Sequence, residues 1–110
     1  MTRVLFLDDQ ARRADVMRTK YPEMMWALTS AEAIRLLDSE PWDLVSLDYD
    51  LADGDCGMLV ADWLAPRYPA TLVVVHSTNL VGASRMMARL LLHHPLYVPF
   101  TFTPGGPFNL

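Results

Sequence analysis

Short apolar runs recur along the chain and predict five buried strands. Nearly continuous apolar runs of this length are typical of strands that are covered on both faces of a sheet. The predicted strands are residues 4–7, 24–28, 42–47, 71–75 and 96–100. Acidic residues or a histidine directly follow the first, third and fourth of these runs.

Segments with apolar residues at helical spacing separate the strands and predict four helices. They cover residues 11–20, about 30–40, about 58–66 and 79–94. The first is stopped by Pro22, and the second begins with Thr29-Ser30-Ala31-Glu32, which matches a capping box. Proline also closes each of the other three.

The alternation of strands and helices indicates a doubly wound α/β domain with a parallel sheet and helices on both faces. The 110 residues predict one domain (1–110), with a core over 2–101 and a short Pro/Gly tail over 102–110. No helical segment follows the last strand, so we expect the closing fifth helix to be absent. The sheet face left uncovered would favour a homodimer or another partner.

Composition narrows the classes of function. A net charge of −4 and a pI near 5.1 argue against binding duplex nucleic acid through its phosphates. The single cysteine, Cys56, excludes a disulfide scaffold and a cysteine-rich zinc site. No segment reaches the ~18 apolar residues of a membrane span, and the N-terminal apolar run is too short for a signal peptide. We therefore expect a cytoplasmic protein without membrane attachment.

Carboxylates follow two of the predicted strands, Asp8 and Asp9 after the first and Asp48 and Asp50 at the third. Ligands of parallel sheets bind at the carboxyl ends of the strands. Carboxylates that meet there must share a proton or a cation, and oxygen ligands favour Mg²⁺ or Mn²⁺. The alternative is that these residues cap the following helices. Four carboxylates at two strand ends favour the metal site.

His76 follows the fourth strand and is a candidate general acid or base, or a metal ligand. Ser77, Thr78 and Asn79 form a polar turn whose hydroxyl and N–H groups would suit a phosphate, although the same residues are ordinary helix caps. His93 and His94 are predicted to lie in a last helical turn, where they would complement the helix dipole rather than bind metal.

This pattern resembles the response-regulator receiver domain. The resemblance rests on Asp8-Asp9, on Asp48 and on the stretches 31–37 and 43–48, and it covers nearly the whole chain. It implies a flavodoxin-like sheet of order 2-1-3-4-5, with Asp48 as phospho-acceptor and Asp8 and Asp9 holding Mg²⁺. Two features depart from receivers. His76 stands where they carry Ser or Thr, and no lysine follows the fifth strand.

The stretches 47–51, 57–58, 75–79 and 98–100, together with Gly82-Ala83 and Met86, are similar to the cyclic-phosphate-processing receiver branch. This resemblance implies a metal-dependent phosphoesterase acting on a cyclic nucleotide or cyclic phosphate in a bacterial or phage conflict or signalling system. The site residues then have three expected roles: metal binding by Asp8, Asp9 and Asp48, catalysis by His76, Asp48 and Asp50, and phosphate binding by Ser77, Thr78 and Asn79.

Among these residues, His76 would protonate the leaving oxygen. Asp50 would complete the metal shell or orient water, and Asp48 could instead attack the phosphate directly. The residues alone leave two other functions possible. One is a degenerate receiver that docks a protein partner or accepts a phosphoryl group. The other is a sponge that binds cyclic nucleotides without hydrolysing them.

Overall fold

Within the residues that the computed structural model describes, 2–67 and 71–100, five parallel strands form one sheet in the order β2-β1-β3-β4-β5. The strands are β1 (Val4–Leu7), β2 (Met25–Ala27), β3 (Leu44–Leu47), β4 (Leu72–Val75) and β5 (Leu96–Tyr97). The predicted α/β class and strand order are confirmed. β1 and β3 lie at the centre of the sheet, paired in register from Val4 with Leu44 to Leu7 with Leu47.

Four helices connect the strands, and they are α1 (Ala11–Lys20), α2 (Ser30–Ser39), α3 (Met58–Leu64) and α4 (Leu80–Arg89). The predicted cap of α2 is confirmed, because Thr29 Oγ1 accepts the Glu32 N–H at 3.1 Å. In the described part of the chain no helix has the length and apolarity needed to cross a bilayer.

The last helix is shorter than its periodicity predicts. α4 stops at Arg89, and a 3₁₀ turn (Leu91–His93) follows it. His94 has a positive φ of 50°, and the next residue is Pro95, which disfavours helical conformation in the residue before it. The predicted helix over 79–94 therefore ends early, with His93 in the 3₁₀ turn and His94 just beyond it. His93 is buried and donates from Nε2 to the Leu64 carbonyl at 3.1 Å, whereas His94 is exposed.

β5 is also shorter than predicted, yet its pairing with the sheet continues. The N–H groups of Val98 and Phe100 donate to the carbonyls of Val75 and His76, at 3.0 and 3.1 Å. Pro99 lies between them, where an edge strand needs no N–H toward its neighbour. The expected tail over 102–110 and the expected absence of a closing helix concern positions outside the described residues.

The strands separate two layers of packing. Odd-numbered residues such as Leu5, Val45 and Val73 pack in the cluster on the side of α2, α3 and α4. Even-numbered residues such as Phe6 and Val74 pack in a second cluster with residues of α1. Side chains alternate along strands. The first even positions beyond the strands therefore point to the α1 side, and these positions are Asp8, Asp48 and His76.

Candidate metal centre at the carboxyl edge of the sheet

Asp8, Asp48 and His76 meet at one place, as the sequence predicts. They follow three adjacent strands, and one ligand atom of each lies within 4.8 Å of the others. All three side chains are buried. Two carboxylates and an imidazole therefore form a compact group at the carboxyl edge of the sheet.

Asp8 uses both carboxylate oxygens. Oδ1 accepts the Gln10 N–H at 2.8 Å, and Oδ2 lies 3.0 Å from His76 Nε2 and 3.3 Å from Arg13 Nη1. Burial raises the pKa of Asp8, but the hydrogen bond and charge of His76, with Gln10 and Arg13, lower that pKa by more. The net pKa lies below the ordinary range, so Asp8 is a permanent anion at neutral pH.

His76 is enclosed rather than open to solvent. Its ring stacks on Phe6, with centroids 4.7 Å apart, and forms a T-shaped pair with Phe100. Nδ1 lies 2.6 Å from Ser46 Oγ, while Nε2 faces Asp8. Because an ionised carboxylate can only accept, we assign a proton to Nε2. His76 is thus a buried support for Asp8, with both ring nitrogens engaged.

Asp48 has different surroundings. Its Oδ1 accepts the Tyr49 N–H at 2.8 Å, and its Oδ2 lies 3.5 Å from Arg13 Nη1. Burial raises the pKa of Asp48, and the Asp8 carboxylate raises it further, outweighing His76, Tyr49 and Arg13. The two neighbouring carboxyl groups therefore differ, one held ionised and the other more easily protonated.

Arg13 belongs to the site, although the sequence analysis did not assign it a role. It bridges Asp8 and Asp48 from the first turn of α1. A cation in the first turn of a helix interacts unfavourably with the helix dipole. This unfavourable position was the feature of the sequence that could have indicated an acidic partner for Arg13. Ser46 was also missed. Its signal was a single hydroxyl inside an otherwise apolar strand.

The remaining predicted metal and catalytic carboxylates lie outside the compact group. Asp9 is half-buried beside Asp8 but supplies no ligand atom to the group of three. Asp50 is exposed at the rim, where its Oδ2 accepts a hydrogen bond from Asn79 Nδ2 at 3.0 Å. The structure thus brings together two of the three predicted metal ligands, with His76 as the third member of the group.

The predicted phosphate-binding turn forms the start of α4. Asn79 is the N-cap, and its Oδ1 accepts the Gly82 N–H at 3.0 Å, which confirms the capping interpretation. Ser77 is buried, and its Oγ accepts the Asn79 N–H at 3.1 Å. Thr78 is exposed. Of the three, only Thr78 is exposed, since Ser77 is buried and Asn79 is half-buried.

Two glycines allow close packing at the start of the loop after β3. A Cβ on Gly57 would lie 1.8 Å from the Asp48 carbonyl oxygen, and a Cβ on Gly82 would lie 2.3 Å from the Tyr49 ring. The backbone of Asp48 and the ring of Tyr49 therefore occupy space that only glycine leaves free. These contacts hold the chain at the candidate ligand Asp48 and at the residue that follows it.

Comparison with known proteins identifies the family. A family profile described as the cyclic-phosphate processing receiver domain matches residues 3–91. The chain belongs to this family. No curated protein matches it.

Solved structures of response regulators resemble this receiver domain in fold. TrrA from Thermotoga maritima, solved in complex with Mg²⁺-BeF, is 20% identical, with 94% of this chain and 90% of that chain covered and a TM-score of 0.76. A CheY-like receiver domain from Methylobacillus flagellatus is 13% identical, with 94% and 89% covered and a TM-score of 0.72. TrrA has also been solved with the histidine kinase ThkA. At these identities the likeness establishes the fold.

The donor set of this receiver domain fits a hard divalent ion. Mg²⁺ is commonly bound by one or two carboxylates, with water and phosphate oxygens completing its shell, and Mn²⁺ accepts similar ligands. Asp8 and Asp48 supply two such carboxylates. His76 holds Asp8 as an outer hydrogen-bonding partner, which is the usual way in which a ligand is oriented.

Proposed function

We propose that this receiver domain is a metal-dependent phosphoesterase that opens a cyclic nucleotide or another cyclic phosphate, in a bacterial or phage conflict or signalling system. The observation that carries the proposal is the buried group of Asp8, Asp48 and His76, whose ligand atoms lie within 4.8 Å of one another. Its family, which is named for processing cyclic phosphates, supports the substrate class.

Asp8 and Asp48 would hold Mg²⁺ or Mn²⁺. The ion would supply positive charge against the phosphate and make water more acidic. The ionised Asp8 provides the constant negative charge, and His76 keeps that carboxylate in place through the Nε2–Oδ2 hydrogen bond.

The proton steps are assigned to water rather than to His76. The raised pKa of Asp48 belongs to the metal-free crevice, and a carboxylate that holds a divalent ion is a weaker base. The attacking water would pass its proton to solvent as the new P–O bond forms, and the leaving oxygen would take a proton from solvent as the ring P–O bond breaks. His76 is fully buried with both nitrogens engaged, so we assign it a positioning role in place of the expected proton donation.

The rim of the site is where the rest of the substrate would lie. Asp50 and Asn79 are joined by a hydrogen bond at 3.0 Å, and the exposed Thr78 directly precedes Asn79 in sequence. The Thr78 hydroxyl can donate to a phosphate oxygen. Asp50 would orient water or receive a donor group of the substrate.

The test is hydrolysis of cyclic mononucleotides, cyclic dinucleotides and 2′,3′-cyclic phosphate ends in the presence of Mn²⁺, with products identified by mass spectrometry. We expect Asp48→Asn to reduce turnover by about 100-fold or more. Asp53→Asn is the matched control, because Asp53 is exposed in the same loop and its positive φ of 58° is tolerated by asparagine. Turnover that is absent, or equal in the Asp48→Asn protein, refutes the enzyme. Tight binding with the ligand recovered intact would identify a sponge.

A protein-interaction module is the second candidate, favoured by an apolar surface on α4 and β5. A groove there is lined by Leu80, Ala83, Ser84, Met87 and Tyr97. Leu80, which lines this groove, is 69% exposed. Contiguous apolar surface is typical of protein-interaction sites. This function predicts self-association or partner binding that survives Asp48→Asn, and phosphorylation of Asp48 by acetyl phosphate without hydrolysis of cyclic phosphates. Sedimentation velocity and intact-mass measurement test both points.

A further inference from the structure

Arg13 places a positive charge where the proposed ion would bind. Its Nη1 lies 3.3 Å from Asp8 Oδ2 and 3.5 Å from Asp48 Oδ2, so a single amino group bridges the two carboxylates. Its side chain is only 15% exposed, which distinguishes it from an ordinary surface cation. An ion coordinated by both carboxylates would therefore have to take over oxygens that Arg13 now contacts.

Apart from these two contacts, the surroundings of Arg13 stabilise it only weakly. Its Nε is buried and has no hydrogen-bond partner among the described residues, and an unpaired buried N–H is unfavourable. Its position in the first turn of α1 opposes the helix dipole. The ring of Phe100 lies 5.7 Å from the guanidinium carbon, near the limit of a cation–π contact. The carboxylates are thus what retains Arg13 in the crevice.

We propose that Arg13 is an internal counter-ion of the crevice and that Mg²⁺ or Mn²⁺ displaces it. In the metal-free protein, Arg13 offsets the repulsion between Asp8 and Asp48. When the carboxylates bind a divalent ion, the guanidinium turns toward solvent, where its Nε–H gains water as a partner. This inference rests on the metal site of the proposed function, and it adds that metal affinity is limited by a competing side chain.

Removal of the competing charge tests the proposal. Mn²⁺ binding is measured by isothermal titration calorimetry for the wild type, Arg13→Gln and Arg18→Gln. Arg18 is the matched control, because it lies on the same helix in an exposed pair with Asp15 and its removal changes the net charge equally. We expect Arg13→Gln to bind Mn²⁺ about tenfold more tightly than the wild type, and Arg18→Gln to stay within about threefold. An affinity of Arg13→Gln that does not exceed that of Arg18→Gln overturns the proposal.

A second measurement uses the wild-type protein and so does not depend on a variant that folds. The Nε–H of Arg13 is buried, so its proton should exchange slowly with water in the metal-free protein. We expect saturating Mg²⁺ to accelerate that exchange in ¹H–¹⁵N spectra of the arginine side chains. A signal that stays protected at saturating Mg²⁺ shows that Arg13 is not displaced.

The two proposals fail in different ways. A wild type that binds Mn²⁺ with Arg13 still protected refutes the displaceable counter-ion and leaves the metal-dependent enzyme standing. A wild type and an Arg13→Gln protein that both fail to bind Mn²⁺ refute the metal site itself, and the counter-ion proposal falls with it.

Discussion

Burial raises the pKa of both Asp8 and Asp48, but their net pKa shifts have opposite signs. Asp8 has His76 and Gln10 as hydrogen-bond donors, whereas Asp48 receives one backbone N–H from Tyr49. The surplus of donors lowers the pKa of Asp8 despite burial, and burial raises the pKa of Asp48. A pair of carboxyl groups whose pKa values are pushed apart is a common feature of acid–base sites.

This difference predicts opposite effects on stability. A lowered pKa in the folded state means that Asp8 stabilises the protein above the ordinary carboxyl pKa of ~3.9, and that this stability is lost as the pH falls. A raised pKa means that Asp48 stabilises only below ~3.9, and that this contribution is lost as the pH rises. At neutral pH without metal, Asp8→Asn should therefore lower the free energy of unfolding by about 3 kcal/mol, and Asp48→Asn should raise it by about 1 kcal/mol.

Urea denaturation at neutral pH and well below the ordinary carboxyl pKa of ~3.9 measures both effects. Each difference from the wild type should shrink in acid, because protonation removes the charge that the asparagine lacks. Asp53→Asn controls for the loss of an exposed carboxylate from the same loop. Destabilisation by Asp48→Asn at neutral pH would contradict the environment assigned to Asp48.

At the scale of elements, close contacts connect the loop after β3 to its neighbouring helices. The Tyr49 ring lies on Gly82 near the start of α4, where a Cβ would come within 2.3 Å of the ring. On the other side, Asp55 accepts hydrogen bonds from the N–H and hydroxyl of Ser30 at 2.7 and 2.5 Å. The loop that carries Asp48 into the site is thus fixed at both α2 and α4.

The contact with α4 predicts a non-additive pair of substitutions. Gly82→Ala should lower the free energy of unfolding by about 1–3 kcal/mol, because the added methyl overlaps the Tyr49 ring. In a Tyr49→Ala background the same change should cost little, because the ring is gone. A double-mutant cycle by thermal denaturation measures this coupling. Equal costs in both backgrounds would mean that the ring does not limit the space at position 82.

The contact with α2 predicts a pH-dependent effect of Asp55→Asn. Burial raises the pKa of Asp55, but the two hydrogen bonds from Ser30 and the one from the Cys56 N–H together outweigh burial and lower the pKa below the ordinary range. Asp55 therefore stabilises the fold above the ordinary carboxyl pKa, and this contribution disappears as the pH falls. Asp55→Asn should cost about 1 kcal/mol at neutral pH and less in acid, measured by urea denaturation. If the loss of stability did not change with pH, the shape of the Asp55 side chain rather than its charge would be what stabilises the contact.

At the scale of the whole molecule, a metal site at the sheet edge links folding to metal binding. Three strands and α1 contribute to the crevice, so the complete set of contacts exists only in the folded chain. An ion that binds the folded state alone stabilises it by mass action.

Mn²⁺ should therefore raise the thermal midpoint of unfolding. At a concentration 100 times the dissociation constant, the expected gain is about 2.7 kcal/mol. The gain should be small or absent in Asp48→Ala and normal in Asp53→Asn, as measured by differential scanning calorimetry. The same gain in Asp48→Ala would show that Mn²⁺ binds elsewhere.

The sequence by itself determined the order of elements and the edge at which the chemistry lies. Continuous apolar runs indicate strands that are buried on both faces, and a parallel sheet brings the carboxyl ends of these strands together. For this reason Asp8, Asp48 and His76 could be predicted to meet. The strand order came from likeness to receivers, because local patterns do not encode which strands pair.

Tertiary structure decided which side chains share the crevice and what each one does there. Arg13 enters from α1 through contacts five and 35 positions away, and Ser46 bonds to a histidine 30 residues away. It also decided that His76 is enclosed between two rings and that Asp50 remains at the rim. The direction of a side chain, its burial and its hydrogen-bond partners depend on how distant elements pack. The sequence pattern gives only the spacing of residues along the chain.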